Sequence, residues 1–315
     1  MSILITGGCG FIGSHCAHKL ASEGFRVICF DSKVRKNDYL SRLEDRVILI
    51  PGDVQEGLQL MKIVNREGVE AIVHAAALPL EVKCRERPEK AFNVNVVGTF
   101  NVAEVARRKG LKLINISSQA IYGNLHEHDL TPISEEEHPP PPIGVYPAQK
   151  LMGETLITSY RNVFGVNAVS LRPNWVYGPL QETIENPISI ILKKAIKGES
   201  FILEHGGDHP LAYTYVKDLA NAVFLAYEKD RVESSVLNID SGQFVKVREI
   251  VKIIEELYPK VEIKVGPGLW PELMRQAPLR GPGDISKARE ELGYTPKWPI
   301  DAGIREYARW LEGQF

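Results

Sequence analysis

The chain has 315 residues, 44% of them hydrophobic and 25% charged, which is enough apolar material for one large domain or two smaller ones. Lysine and arginine number 38 against 40 aspartates and glutamates, a net charge of −2 without a concentrated basic tract, which argues against nucleic acid and membrane surfaces as partners. No apolar run approaches the roughly 20 residues of a membrane span, and the N-terminus runs straight into a strand without a charged, then apolar, signal segment, so a cytoplasmic location is expected.

Ile3, Leu4 and Ile5 form a short apolar run that passes through Thr6 into Gly7, Gly8, Cys9, Gly10, Phe11, Ile12 and Gly13, followed by an apolar-periodic segment. This reads as strand, tight turn and helix. Gly7 permits the turn, Gly10 lets backbone approach a pyrophosphate, and Gly13 lets the helix pack closely on the sheet. The helix start, with Phe11 and Ile12, favours phosphate. A second apolar run, Val27 to Phe30, ends in Asp31, whose carboxylate would accept both ribose hydroxyls of an adenosine and repel a phosphate there. NAD is therefore expected over NADP, although Lys33 and Arg35 just beyond are basic and leave NADP open. Further strand-length runs, Val47 to Ile50, Ala71 to His74, Leu113 to Ile116 and Ala168 to Leu171, alternate with segments of helical period. Alternation of this kind predicts an α/β fold, a doubly wound parallel sheet of Rossmann type with helices on both faces.

Tyr146 and Lys150, four apart, lie on one face of a helix, so the ammonium sits beside the phenol and favours ionisation of a group whose ordinary pKa is about 10. Ser118 would hold a substrate hydroxyl by a hydrogen bond while Tyr146 removes its proton and a hydride leaves the carbon for a nicotinamide ring. Between them, Asn124 to Gly144 contains four consecutive prolines and can be neither helix nor central strand. It is expected to be a long loop beside the active site, acting as a substrate lid. After Gly178 and Pro179 the pattern loosens. A dinucleotide-binding domain is expected over 1–178, rejoined by 212–244 with a strand at Val236 to Ile239. A smaller C-terminal substrate-binding lobe is expected from 179–211 and 245–315, with helices at Arg248 to Leu257 and Asp301 to Leu311. Cys9, Cys16, Cys29 and Cys84 form no CxxC pair and read as small buried residues. His126, His128 and His138, with Glu127 and Glu135 to Glu137, lack i,i+4 spacing in the Pro-rich loop, and no metal is expected.

Several further motifs follow in order: Asp53 and Val54; His74, Ala75, Ala76, Ala77; Asn95, Val96, Val97, Gly98, Thr99; YPAQK from Tyr146; LRPNWVYGP from Leu171; YVKDLA from Tyr215; and ISKAREELGYTP from Ile285. Together with the glycine loop they make the chain resemble, over nearly its whole length, the extended short-chain dehydrogenase/reductase family, in its sugar-nucleotide epimerase and dehydratase branch. The resemblance implies that Asp53 and Val54 flank the adenine, that Ala75, Ala76 and Ala77 border the dinucleotide, and that Asn95 lies beside the active site. It also implies that Pro173 and Val176 line the nicotinamide end. A homodimer is implied as well, pairing the helices that include Ala91 to Arg108 and Ala148 to Tyr160 with their symmetry mates.

In the dehydratases of this family an acidic pair follows the serine or threonine, and decarboxylases have a glutamate there. This chain has Gln119 and Ala120, which disfavours both reactions and looks most like the epimerases. The substrate side departs from the family pattern. Trp175 stands where asparagine is common, with Asn174 one place earlier, and Leu211 stands where an arginine usually grips the diphosphate. Arg275 or Arg280 falls near the family's later arginine. Glu81 and Lys83 replace residues that are usually apolar, aromatic or small and face the substrate; here they either bind a polar, unphosphorylated head or are solvated. The sequence thus reads as an NAD-dependent epimerase acting on a secondary hydroxyl of a nucleotide sugar through a transient keto intermediate. An NAD-dependent dehydrogenase of a free sugar, polyol or sugar acid is the alternative, and a non-catalytic NAD-binding sensor is disfavoured because Ser118, Tyr146 and Lys150 are all present.

Overall fold

The computed structural model describes residues 2–41, 43, 45–182, 186–270 and 279–314. Its first half runs β1 (Ser2–Thr6), α1 (Phe11–Ser22), β2 (Arg26–Asp31), α2 (Asp38–Ser41), β3 (Val47–Pro51), α3 (Gly57–Glu67), β4 (Val69–His74), α4 (Glu81–Glu86), α5 (Pro88–Phe92), α6 (Gly98–Lys109), β5 (Lys112–Ile116), α7 (Val145–Phe164) and β6 (Ala168–Pro173). The second half runs β7 (Trp175–Tyr177), α8 (Pro187–Ile196), β8 (Phe201–Leu203), β9 (Pro210–Tyr215), α9 (Val216–Glu228), β10 (Val236–Ile239), β11 (Phe244–Lys246), α10 (Val247–Leu257), β12 (Ile263–Val265), α11 (Ser286–Leu292) and α12 (Ile300–Glu312).

Seven strands pair in parallel in the order β10-β6-β5-β4-β1-β2-β3, so every expected strand finds its place in one doubly wound sheet. Their near-continuous apolar runs suit a sheet covered on both faces. Ile3, Ile5, Val73 and Leu171 point to one side, where they meet Cys16, Leu20, Leu219 and Val223 of α1 and α9. Leu4, Ile28 and Ile72, one residue out of step, point to the other side and meet Leu60, Val102 and Ile157 of α3, α6 and α7. The chain leaves β1 towards β2 and β3, then returns to β4 on the opposite flank. That reversal opens a crevice at the carboxyl ends of β1 and β4, where ligands bind in open α/β sheets.

A smaller body is built from the three-stranded sheet β11-β9-β7, the pair β12-β8, and α8, α10 and α12. Its core is aromatic, with Tyr177, Tyr213, Trp270 and Tyr307 buried among aliphatic residues. Segment 285–294, expected with this lobe, instead adds Ile285, Ala288, Leu292 and Tyr294 to the core of the large sheet. The stretch from Asn124 to Gly144 has no helix or strand, as its prolines dictate. Its middle is not free, however: buried Ile133 donates its N–H to Pro282 O (2.8 Å) and accepts from Asp284 N (2.8 Å). A lid spanning the whole loop is therefore replaced by a loop anchored at its midpoint. No helix among the described residues is long and apolar enough to cross a membrane.

Candidate active site

The glycine loop sits at the carboxyl end of β1. Gly7 has φ +68°, and a Cβ there would come within 2.7 Å of the Ala76 backbone, so the strand β4 exit blocks any side chain. A Cβ on Gly13 would overlap the carbonyl oxygen of Gly7, which is the close helix approach the spacing predicts. Gly10 is different: its added Cβ would meet only Gly7 O, at 3.2 Å, and no side chain caps α1. The first amides of α1, at Phe11 and Ile12, thus open onto the crevice with the positive end of the helix dipole behind them. At the end of β2, Asp31 accepts from Cys9 N through Oδ2 (3.0 Å) and from Lys33 N through Oδ1 (2.9 Å), which fixes its carboxylate beside the loop.

Behind the loop lies His74, whose ring joins two threonines. Thr99 Oγ1 donates to Asn95 O (2.7 Å) and therefore accepts from His74 Nε2 (3.0 Å), leaving Nδ1 to accept from Thr6 Oγ1 (2.7 Å). Burial pulls this histidine down to about 3, with Lys150 adding to the effect, so it is a neutral structural link. Asn95 lies in a π-helical turn, Asn93–Val97, between α5 and α6. Such turns recur at functional sites. Its side chain accepts from Leu78 N (2.7 Å) and donates to Gln149 Oε1 (2.8 Å), tying the loop after β4 to the helix that carries Tyr146 and Lys150. Ala75 and Ala76 are half-buried along that loop, where they donate to Thr6, and Ala77 follows them. Asp53 accepts from Gln55 N (3.0 Å), and Val54 is packed under Gly98, where a Cβ would come within 2.6 Å of it.

Ser118, at the carboxyl end of β5, faces Tyr146 near the start of α7, and the two side chains share a hydrogen bond. Ser118 Oγ also accepts from Ala120 N (3.1 Å), which closes the 3₁₀ turn Gln119–Tyr122. Lys150, one turn along α7, donates to Ile116 O (2.8 Å) and lies 5.9 Å from the centre of the Tyr146 ring. The expected lowering of the phenol by this ammonium is not what the geometry gives. Burial pushes Tyr146 up to about 12, and the Ser118 hydrogen bond opposes it only in part. Burial also pulls Lys150 down to about 8. Both shifts have one cause: a low-dielectric setting disfavours whichever form is charged.

On the substrate side, Pro173 is buried at the end of β6, and Val176 is partly buried on β7 with its carbonyl accepting from Gln181 Nε2 (3.2 Å). Asn174 accepts from Arg280 Nη2 (2.9 Å) and from Trp175 N (3.0 Å), and donates to Gln119 Oε1 (2.9 Å). Arg280 gives one donor to Asn174 while its Nε is buried without a partner among the described residues, and burial pulls it down to about 10. Arg275 lies outside the described residues. Leu211 is buried in the aromatic core of the lobe. Glu81, expected to face the substrate, instead turns its carboxylate to the start of α7 because two unpaired backbone donors lie there. Lys83 stays half-buried on α4. The cysteines are free, with Cys16, Cys29 and Cys84 buried and Cys9 partly so. His126 pairs with Glu137 (2.8 Å), and among the described residues no group of three potential ligands is arranged to hold a metal.

Two buried polar networks beneath the site escape sequence reasoning. Arg172 donates to both oxygens of Glu154 (2.9 and 2.5 Å), Ser117 donates to the same carboxylate (2.7 Å), and Arg172 also reaches Tyr122 OH (2.5 Å). The signal for Glu154 was present, since it continues the stripe Tyr146, Lys150 at the same four-residue step. In the second network Gln119 Nε2 donates to Asp240 Oδ2 (2.9 Å), which also accepts from Gly283 N (2.8 Å). Burial pushes the Asp240 carboxyl up, and these donors pull it part of the way back.

Residues 3–240 match the profile of the NAD dependent epimerase/dehydratase family. The chain belongs to this family. It is 31% identical to a UDP-glucose 4-epimerase of Corynebacterium glutamicum, covering 94% of this chain and 91% of that protein. Its fold superposes with a TM-score of 0.86 and 26% identity on the UDP-glucose 4-epimerase of Thermotoga maritima in complex with UDP-glucose, over 100% of this chain and 99% of the other. The UDP-glucose 4-epimerase of Thermus thermophilus, solved with NAD, gives a TM-score of 0.84 at 26% identity over 100% of both chains. The protein is thus an NAD-dependent enzyme of the extended short-chain dehydrogenase/reductase type, and its cofactor is NAD. The residues fit that cofactor: an uncapped helix start and an open Gly10 suit a pyrophosphate, and the fixed Asp31 carboxylate suits an adenosine ribose.

Proposed function

We propose that the enzyme epimerises a secondary hydroxyl of a nucleotide sugar through a transient keto intermediate. The observation that carries this reading is the convergence of Ser118, Tyr146 and Lys150 at the crevice with no ionisable side chain at the two positions after the serine. Gln119 is fully buried with its amide spent on Asp240, Asn174 and Arg172 O, and Ala120 carries no acid. A second proton, as dehydration would require, has no carrier at that point. Bound NAD supplies a reversible hydride acceptor. Ser118 orients the sugar hydroxyl, and Tyr146, once its phenol has released its own proton to solvent, accepts the hydroxyl proton as the C–H bond breaks. After the keto sugar has turned over, Tyr146 returns the proton to the carbonyl oxygen. Lys150, largely cationic below its pKa of about 8, offsets the negative charge that the phenolate carries before it takes the proton. Asn174, Trp175, Lys83 and Arg280 would border the sugar, with the lobe closing over its far end.

A second reading, net dehydrogenation of an unactivated sugar, polyol or sugar acid, draws on two observations. Leu211 is part of the lobe core, where it offers a diphosphate no charge, and Arg280 has one of its donors engaged by Asn174. A diphosphate deprived of one arginine contact forgoes about 1.5 to 3 kcal/mol. The deciding experiment supplies NAD with a panel of UDP-, GDP- and dTDP-sugars, free sugars, polyols and sugar acids, following NADH absorbance and sugar identity together. Interconversion of a nucleotide sugar without net NADH is expected; accumulation of NADH with an unactivated substrate would overturn the epimerase in favour of the second reading.

We also infer a homodimer. Phe100 on α6 and Met152 and Val163 on α7 are exposed apolar residues on the two helices named for pairing, and Met152, Thr155, Ser159 and Val163 form one solvent-facing stripe. Met152→Arg should shift the sedimentation coefficient to that of a monomer.

A further inference from the structure

The helix that carries Tyr146 begins without a cap of its own. Gly144 occupies the cap position in extended conformation (φ −151°, ψ 166°) and has no side chain to offer. An α-helix start normally leaves several backbone donors unpaired. Here they can be counted: Val145 and Tyr146 each bring an N–H, Pro147 brings none, and Ala148 N already donates to Gly144 O (3.2 Å). Two orphan donors remain. Glu81, on a separate element 64 residues upstream, takes both: Oε1 accepts from Val145 N (3.0 Å) and Oε2 from Tyr146 N (2.9 Å).

Three features suit the surroundings to this contact. A Cβ on Gly144 would lie 2.5 Å from Glu81 Oε2, so only glycine leaves room for the carboxylate. Leu80, directly before Glu81, holds φ +77° and ψ 131°, a conformation that costs a non-glycine residue free energy and persists only where its surroundings enforce it. The anion also meets the positive end of the dipole of the 20-residue helix α7.

We propose that Glu81 is a positioning residue for Tyr146, capping α7 from outside the helix and fixing the first turn from which the phenol projects. The strained Leu80 is the joint that delivers the carboxylate, and Gly144 is the gap that admits it. This rests on the reading of Tyr146 as the proton carrier. The loop between β4 and α4 thereby sets the geometry of the proton transfer through α7, without touching the reacting atoms.

The test compares Glu81→Ala, Glu81→Gln, Gly144→Ala and the double variant Glu81→Ala/Gly144→Ala as full-length, NAD-supplemented protein. Turnover of UDP-glucose is measured together with hydrogen exchange at the Val145 and Tyr146 amides. Misplacing a reacting group by a fraction of a turn predicts a kcat loss of about 10- to 100-fold in Glu81→Ala with KM changed by less than about threefold. Exchange at both amides should accelerate by at least about tenfold, since their acceptor is gone, while NAD affinity holds. Glu81→Gln keeps an acceptor oxygen and should recover most of both properties. Gly144→Ala should reproduce the loss by displacing the carboxylate, and the double variant should be no worse than either single one. Full kcat and unchanged amide protection in Glu81→Ala, or losses that add in the double variant, would overturn the proposal. Failure of the functional reading has a separate signature: accelerated exchange in Glu81→Ala while Tyr146→Phe turns over as fast as wild type, or while wild type leaves UDP-glucose untouched.

Discussion

Around the nucleotide loop the constraints fall on backbone: Gly7 and Gly13 have no room for a β-carbon, the start of α1 carries no side-chain cap, and the Asp31 carboxylate is held by the main-chain N–H groups of Cys9 and Lys33. In the C-terminal lobe they fall on side chains. Tyr177, Tyr213, Trp270 and Leu211 fill the core, while Gln181 Oε1, Asn186 Nδ2, His209 Nε2 and Tyr213 OH are buried without a partner among the described residues. Backbone cradles tolerate almost no change and serve a cofactor common to the whole family. Side-chain cores can be altered residue by residue, which is how one scaffold accepts different substrates. Leu211, buried in the lobe core, is one such side chain.

The largest expected effect lies at the junction of the two regions. Tyr146→Phe deletes a single hydroxyl and should lower kcat by about 10³-fold or more, with NAD affinity and melting temperature unchanged in titration and calorimetry. Equal turnover would remove the phenol from the mechanism. Next, Leu211→Arg should leave a cation unpaired in the lobe core and destabilise the fold by about 3 to 5 kcal/mol in urea unfolding. A variant that stays stable and binds UDP-sugars more tightly would contradict the placing of this residue in the core.

Lys150 gives a pH-dependent prediction. Its pKa is about 8 in the folded enzyme against an ordinary 10.5, so between these values the unfolded chain binds the extra proton. The charge therefore costs stability in full below about pH 8, by about 3 kcal/mol, and the cost fades as pH rises to about 10.5. Lys150→Met escapes it. The variant's stability relative to wild type should be greatest at neutral pH and should decline through that window, while turnover is lost throughout. A difference that does not vary with pH would mean that Lys150 is not held in a charge-disfavouring site. The smallest effect is expected for Asp31→Ala, which should weaken NAD by about tenfold in a fluorescence titration, the contribution of hydrogen bonds to a charged acceptor. Unchanged affinity would detach Asp31 from the ribose.

Regular structure in the nucleotide half was legible because each strand announces itself by an apolar run and each glycine by a local backbone demand. Pairings between distant side chains were not. Glu81 read as either a contact to a polar head or a solvated residue, since its sequence neighbours do not show what its carboxylate is for; the need arises at Val145 and Tyr146, once folding brings α4 to the uncapped end of α7. The run Gly144, Val145, Tyr146, Pro147 did hold a clue, since it lacks any capping side chain. Spacing correctly suggested that Tyr146 and Lys150 share a helix face, but periodicity carries no information on dielectric, and burial reversed the expected direction of the phenol's shift. The tie of Arg280 to Asn174, 106 positions apart, was likewise beyond local pattern.

The central claim is that hydrogen removed from the sugar returns to the same sugar. It is tested most directly with a nucleotide sugar that the substrate panel identifies, deuterated at the carbon whose configuration changes and turned over by NAD-supplemented enzyme. The account predicts an epimerised product that retains its deuterium, without accumulation of reduced cofactor. Loss of the deuterium into free reduced NAD, with an oxidised sugar as the product, would contradict it.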